Sequence, residues 1–324
     1  MSFIETLKQP VANEMQLFEK TFVETLRTEN ELLANVNEFV LQKKGKQLRP
    51  TLVLLSAQLC GSINAATIQS AISIELLHTA SLIHDDIVDE TRERRGKASV
   101  NARWNNKVAV LSGDYMLSKA LLHATNTNNI KILNIISNIG VQLSEGELLQ
   151  LANIQKSEIT EEDYFTTIRQ KTALLFASCS KIGGMSVGAD EDILQRLWNY
   201  GEYLGICFQI KDDIFDYSDN DNIGKPTKND IREGKITLPL IYALRTATNG
   251  TKQKIVDWII EKDFSPANVS EIAAFAHQHG GIDYAAKRME EFKNKAIAEI
   301  VSFPESDAKQ ALINCAEFAA KRNI

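Results

Sequence analysis

IQSAISIELLHTASLIHDDIVD, residues 68–89, and ILQRLWNYGEYLGICFQIKDDIFD, residues 193–216, decide the fold. Wound as helices, both are apolar around most of their circumference, which means burial among other helices rather than one wet face. Gly201 and Gly205 lie one turn apart in the second stretch, where a neighbouring helix can approach closely. Two buried helices that each end in aspartates define an all-α bundle with a charged mouth and an apolar shaft. Around them the periodicity predicts helices over 12–43, 47–60, 64–94, 104–124, 128–154, 160–181, 190–218, 229–247, 251–262, 266–301 and 305–321. Gly61-Ser62, Asn126 to Asn129, Gly183-Gly184 and Asn249-Gly250 have the composition of breaks, and residues 222–226 read as a loop closing over an anion. With no linker or internal repeat, residues 1–324 read as a single domain of roughly ten or more helices.

Composition narrows the function. Sixteen glycines and six prolines suit one large helical domain. Neither common glycine-rich phosphate loop is present, so anion recognition falls to side chains and metal. A net charge of −6 argues against a nucleic-acid partner. Cys60, Cys179, Cys207 and Cys315 show no CxxC spacing and are expected to pack as small apolar residues in a reducing compartment. The first residues lack a basic segment followed by an apolar core, and no uncharged run approaches the roughly 18 residues of a membrane span. A cytoplasmic protein is the expectation.

The two acidic pentads are Asp85-Asp86-Ile87-Val88-Asp89 and Asp212-Asp213-Ile214-Phe215-Asp216. Residues four apart share a helix face, so Asp85 and Asp89 repel each other unless a cation neutralises them. Magnesium suits this pattern because it takes a few carboxylate oxygens and fills its remaining positions with water and phosphate oxygens. One such cluster is commonly a solvated helix end. Two, each preceded by apolar sequence and followed by bases, are not.

Those bases are Arg94, Arg95 and Lys97 after the first pentad, and Lys225 and Lys235 after the second. Arginine's planar fork matches phosphate oxygens, and lysine supplies a movable point charge. Acid, metal and base together describe a diphosphate site. Upstream, Lys46 and Arg49 lie three apart in Gly45 to Pro50, on one face where a helix begins. His78, two turns before Asp85, fits either a core histidine or a ligand.

In order and spacing, GKQLRP from Gly45, LHTASLIHDDIVDETRERRGK, Lys171-Thr172, FQIKDD from Phe208 and IGKPTKNDIREGKITLPLIYAL resemble the trans-isoprenyl diphosphate synthases, the head-to-tail polyprenyl synthase family. The resemblance covers at least residues 45–244. It implies an isoprenoid synthase fold, a single-domain bundle around a central prenyl-chain cavity. It implies that Lys46, Arg49, His78 and Arg95 hold isopentenyl diphosphate, and that Arg94, Lys171, Thr172, Gln209, Lys225 and Lys235 surround an allylic diphosphate primer. Asp85, Asp89 and Asp212 would ligate magnesium, about three ions with bound diphosphate, supported by Asp86, Asp213 and Asp216. A homodimer is also implied.

The shaft should set product length. One turn back from Asp85 lie Ser81 and Ala80, both small, then Leu77, then Ile74 and Ser73. Short-chain members of the family typically carry a bulky aromatic floor at the first of these turns. A helical turn rises about 5.4 Å, close to one isoprene unit, so small residues leave room for several more condensations and a product of roughly C30 to C50, centred on C40. Such products serve as quinone side chains, with peripheral membrane contact aiding release. Ala80 and Ser81 equally suit tight helix packing, and a deeper floor can come from Leu77 or from residues between Ile136 and Leu143. The alternatives are a short-chain farnesyl or geranylgeranyl diphosphate synthase, a terpene cyclase, and a non-catalytic subunit of a heteromeric synthase.

Overall fold

The computed structural model describes residues 3–42, 45–94, 96–153, 160–218, 228–248 and 250–321. In chain order the helices are α1 (Phe3–Lys8), α2 (Ala12–Thr25), α3 (Glu31–Leu41), α4 (Leu48–Cys60), α5 (Ala65–Val88), α6 (Val100–Arg103), α7 (Asn106–Thr125), α8 (Ile130–Asn153), α9 (Glu161–Ile168), α10 (Leu174–Ser186), α11 (Glu191–Asp216), α12 (Asn229–Arg232), α13 (Leu238–Thr246), α14 (Gly250–Glu261), α15 (Pro266–Gln278), α16 (Gly281–Ile300) and α17 (Asp307–Lys321). A π-turn, Arg169–Ala173, joins α9 to α10. Among the described residues the sheet content is one antiparallel pair, β1 (Glu93–Arg94) and β2 (Lys97–Ala98), with Arg94 opposite Lys97. The all-α reading therefore holds.

Two compact units are formed. The first comprises residues 1–141, 176–198 and 300–314. At its centre α5 packs mainly against α7 and α4. Ile72, Ile74, Leu76, Leu52, Leu54 and Met116 are all fully buried there, each contributing roughly 1.5–3 kcal/mol relative to exposure. Ser73, also buried, spends its hydroxyl on the Ala120 carbonyl of α7 at 2.6 Å. The second unit comprises residues 142–175, 199–299 and 315–324. Tyr217, Ile231, Leu240, Ile255, Ile272 and Phe275 form one of its buried clusters.

Several expected helices are cut by local chemistry that the apolar periodicity hides. The expected helix 12–43 is two helices, because the Asn30 side chain accepts from the Leu33 amide at 3.0 Å and starts α3 anew. Asn37 donates to the Leu26 carbonyl at 2.8 Å, satisfying the end of the preceding segment. The expected helix 64–94 stops at Val88. Glu90 takes a left-handed φ of 51°, and the Glu90 and Thr91 amides close back onto Ile87 and Asp86 at 3.3 and 2.9 Å. That is a Schellman motif, with glutamate where glycine is usual. The expected helix 229–247 is interrupted between Arg232 and Leu238, where Gly234 has φ 74°. The expected helix 266–301 breaks at Gly280, φ 73°. Lys46 precedes α4, whose N-cap Gln47 has φ 53°, so it does not share a helical face with Arg49 as its spacing suggested.

Gly183-Gly184 is not a break. Helix α10 runs through it, and a Cβ at Gly183 would lie 2.3 Å from the Val53 carbonyl of α4. The glycine serves close backbone approach, and the helix ends at Ser186, two residues before Gly188 with its φ of 80°. Gly183→Ala is therefore expected to destabilise the fold by roughly 1–3 kcal/mol through overpacking, read as a lower denaturation midpoint. An unchanged midpoint would mean that α4 and α10 are loosely packed.

Candidate functional site

In the first unit the first pentad ends α5. Asp89 is its C-cap, and the Asp89 amide bonds to the Asp85 carbonyl at 2.8 Å. The two side chains thus keep the one-turn relation read from sequence, Asp85 half-buried and Asp89 exposed. Asp86 points the other way and is buried. Its Oδ1 accepts from Arg94 Nε at 2.6 Å, and its backbone carbonyl accepts from Asn101 at 3.0 Å. A turn closed by β1 and β2 brings Arg94 back onto the helix that it follows. Arg49, in the first turn of α4, stacks its guanidinium 5.4 Å above the Phe176 ring. Lys46 is exposed and His78 half-buried. Arg95 and Lys225, together with the expected loop 222–226, lie outside the described residues.

In the second unit a cavity of about 260 Å³ gathers Lys171, Thr172, Gln209, Asp213 and Lys235, all singled out from sequence. Lys171 and Thr172 lie on the π-turn, a rare geometry that is frequent at functional sites. The Lys171 ammonium pairs with Glu147 at 2.6 Å and donates to Gln150 at 2.9 Å, both on α8. Thr172 donates to Gln209 Oε1 at 2.8 Å, and Gln209 Nε2 donates to Asp213 Oδ1 at 2.9 Å. Tyr164 on α9 donates to Asp213 Oδ2 at 2.6 Å. Lys235 sits 2.5 Å from Glu233 and 3.9 Å from Asp230.

Sequence reasoning missed Tyr164, Asp230, Glu147 and Gln150. Tyr164 stands two turns before Lys171, and Glu147 and Gln150 share a face at i,i+3, signals of spacing that are common in any helix. Asp216 also has a more definite task than general support. It accepts from the Asn229 and Asp230 amides at 2.9 and 3.0 Å, clamping the segment that carries Asp230.

Charge around this cavity is unbalanced. Two lysines, Lys171 and Lys235, face four carboxylates: Asp213 and Asp230 in the lining, and Glu147 and Glu233 on the lysines. Burial, then Asp230, pushes the Asp213 carboxyl up to about 8, against the opposing pull of the Tyr164 and Gln209 hydrogen bonds. Burial, then Asp216, lifts Asp230 to about 6, opposed by Lys235. Asp216 is raised by burial too. Such shifts register the cost of holding anions together in low dielectric. A proton relieves that cost, and so does a hard cation. Among the described residues no group of three or more His, Cys, Asp or Glu side chains is placed to hold a metal ion by itself. The donors here are oxygens, which suits magnesium completing its shell with water and phosphate, and unlike a structural zinc site needs no cage.

The profile of the polyprenyl synthetase family matches residues 30–276. The chain belongs to that family. Octaprenyl diphosphate synthase of Haemophilus influenzae is 35% identical over 321 residues, 99% of this chain and 97% of that protein. The enzyme of the same name from Escherichia coli is 33% identical, covering 99% of each. Among solved structures, a decaprenyl diphosphate synthase from Rhodobacter capsulatus superposes with a TM-score of 0.93 at 33% identity, covering 98% of each chain. A geranylgeranyl pyrophosphate synthase from Bacteroides thetaiotaomicron superposes with a TM-score of 0.85 at 41% identity, covering all of each. As a polyprenyl synthetase the chain is a trans-prenyltransferase with the isoprenoid synthase fold. Among the described residues no helix is long and apolar enough to cross a membrane.

The Asp216 clamp has a direct consequence. In Asp216→Ala the Asn229 and Asp230 amides lose their acceptor, so hydrogen exchange across 229–235 should accelerate about ten-fold or more, by loss of charge-assisted bonds, while the middle of α11 stays protected. Unaltered exchange in that segment would show that the clamp holds nothing.

Proposed function

We propose that this enzyme condenses isopentenyl diphosphate onto an allylic diphosphate primer and repeats the step to make an all-trans polyprenyl diphosphate of roughly C30 to C50, centred on C40 by the turn-per-isoprene argument. The observation that carries this reading is the cavity where Lys171, Thr172, Gln209 and Lys235 converge amid a surplus of carboxylates. A site already negative takes an anion only if divalent cations come with it. Magnesium therefore fits, with Asp85, Asp89 and Asp212 as its ligands and Asp86, Asp213 and Asp216 as their supports. When bound, it supplies Lewis-acid neutralisation of the diphosphate charge that builds as the allylic C–O bond breaks.

The chain's own residues bind and orient. Lys171, Thr172, Gln209 and Lys235, with Arg94 and Lys225, hold the allylic diphosphate. Preorganised donors of this kind contribute most where charge develops. Lys46, Arg49, His78 and Arg95 hold isopentenyl diphosphate so that its double bond attacks the allylic carbocation. The departing diphosphate takes the proton, and no side-chain base is required. Apolar packing above the aspartates keeps water from quenching the cation.

Product length follows from α5. Ala80 is buried and Ser81 half-buried one turn above Asp85, with buried Leu77 beyond, and Ile136 and Ile139 on α8 are buried as well. The octaprenyl and decaprenyl relatives support a long product serving quinone biosynthesis. A second reading, a C20 product, draws on the 41% identity with a geranylgeranyl pyrophosphate synthase. We also assign a homodimer, supported by Leu111 and Leu122 on one exposed stripe of α7, an apolar surface that a second copy can cover. Cytoplasmic operation, with peripheral membrane contact at product release, completes the assignment.

One incubation tests the reaction and the length together. Purified protein, magnesium, radiolabelled isopentenyl diphosphate and farnesyl diphosphate should give a ladder ending near C40. A ladder ending at C20 selects the shorter reading, and no elongation by the pure protein refutes an autonomous synthase. Asp85→Ala and Asp212→Ala should each lower turnover by roughly 10³-fold or more with the fold intact; near-normal rates would remove the metal assignment. Ala80→Phe should shorten the product, and an unmoved distribution would place the floor elsewhere.

A further inference from the structure

The π-turn that presents Lys171 and Thr172 is braced from outside. It departs from α-helical geometry, and its side chains are held in position by neighbours on two flanks. On one flank α8 comes close because residue 146 is glycine: a Cβ there would meet Gln170 Cβ at 3.1 Å and the Lys171 amide nitrogen at 3.4 Å. Glu147 and Gln150, on that same turn of α8, receive the Lys171 ammonium. On the other flank the brace is a relay. Thr172 rests on Gln209, Gln209 on one oxygen of Asp213, and the other oxygen of Asp213 takes the Tyr164 hydroxyl.

The relay has a direction. Both Asp213 oxygens accept, one from Tyr164 and one from Gln209, so the Gln209 amide turns its nitrogen to Asp213 and its oxygen to Thr172. That fixes the Thr172 hydroxyl in turn. Asp213 keeps this orientation because its second oxygen is held by Tyr164, which is buried against Phe165 with ring centroids 5.3 Å apart. Tyr164 is therefore the fixed end of a chain joining α9, the π-turn and α11.

We propose that Tyr164 is a positioning residue for diphosphate capture, acting through Asp213 and Gln209 to hold Thr172 and the π-turn in register with α11. This rests on the reading of the cavity as the allylic diphosphate site. Without the Tyr164 hydroxyl, Asp213 turns, the Gln209 amide loses its imposed direction, and the π-turn that carries Lys171 and Thr172 loses its tie to α11. The isopentenyl diphosphate contacts assigned to Lys46, Arg49 and His78 involve none of these groups.

The test is calorimetric titration of the full-length protein with inorganic diphosphate at saturating magnesium, and separately with isopentenyl diphosphate. Tyr164→Phe keeps the ring and should weaken diphosphate binding about ten-fold or more, the loss associated with a hydrogen bond to a charged group, and isopentenyl diphosphate less than about two-fold. The cycle with Asp213→Asn shows whether the effect passes through Asp213: in that background Tyr164→Phe should cost less than about three-fold, because the carboxyl group through which Tyr164 acts is already gone. That background also strands no buried charge, so the comparison stands if Tyr164→Phe alone folds poorly. Diphosphate binding within two-fold of the parent overturns the proposal. So does equal weakening of both ligands, or a full ten-fold cost that persists in Asp213→Asn. Lys171→Ala separates the two levels. If it too binds diphosphate normally, the cavity is not the diphosphate site and the parent reading fails; if it binds weakly while Tyr164→Phe binds normally, only the role of Tyr164 fails.

Discussion

Unbalanced negative charge governs the site. Four carboxylates, Asp213, Asp230, Glu147 and Glu233, surround a cavity with two lysines, and burial lifts Asp213 to about 8. A protein that only needed to fold would gain stability from apolar side chains in those places. Keeping anions there is useful if a cationic partner arrives with the substrate. The metal-assisted diphosphate chemistry of the polyprenyl synthetases supplies such a partner.

The surrounding structure holds those charges in place. Asp216 clamps the segment carrying Asp230, and Asp213 sits between Tyr164 and Gln209; in the first unit, separately, Asp86 is tied to Arg94. In each pentad one aspartate is thus buried and bonded while others stay less buried. Division of labour between neighbouring residues follows from helix geometry, since adjacent positions point about 100° apart. The π-turn adds a local departure from that geometry where Lys171 and Thr172 are presented.

Much of this was legible in the chain. The circumferential apolarity of residues 68–88 is what the buried α5 requires; DDIVD and Lys235 were found by residue type and spacing, and Lys171-Thr172 and Gln209 only through the resemblance to the family. Helix boundaries were less legible because they turn on single residues: Asn30 as a cap, Glu90 in a left-handed conformation, Gly183 as a close-packing residue rather than a stop. Tyr164, Glu147 and Asp230 escaped because their importance comes from tertiary contacts, and a tyrosine or glutamate at helical spacing has no signature of its own. The repeat of the acidic pentad was informative because chance seldom places it twice after buried helices.

The central claim is that the carboxylates are compensated only when metal and diphosphate bind together. Thermal unfolding of the purified protein with magnesium alone, inorganic diphosphate alone, and both together tests it directly. The account predicts that the pair raises the midpoint by roughly 3–6 °C at concentrations far above the dissociation constant, with little change from either one. Equal stabilisation by diphosphate without magnesium, or no stabilisation by the pair, would contradict it.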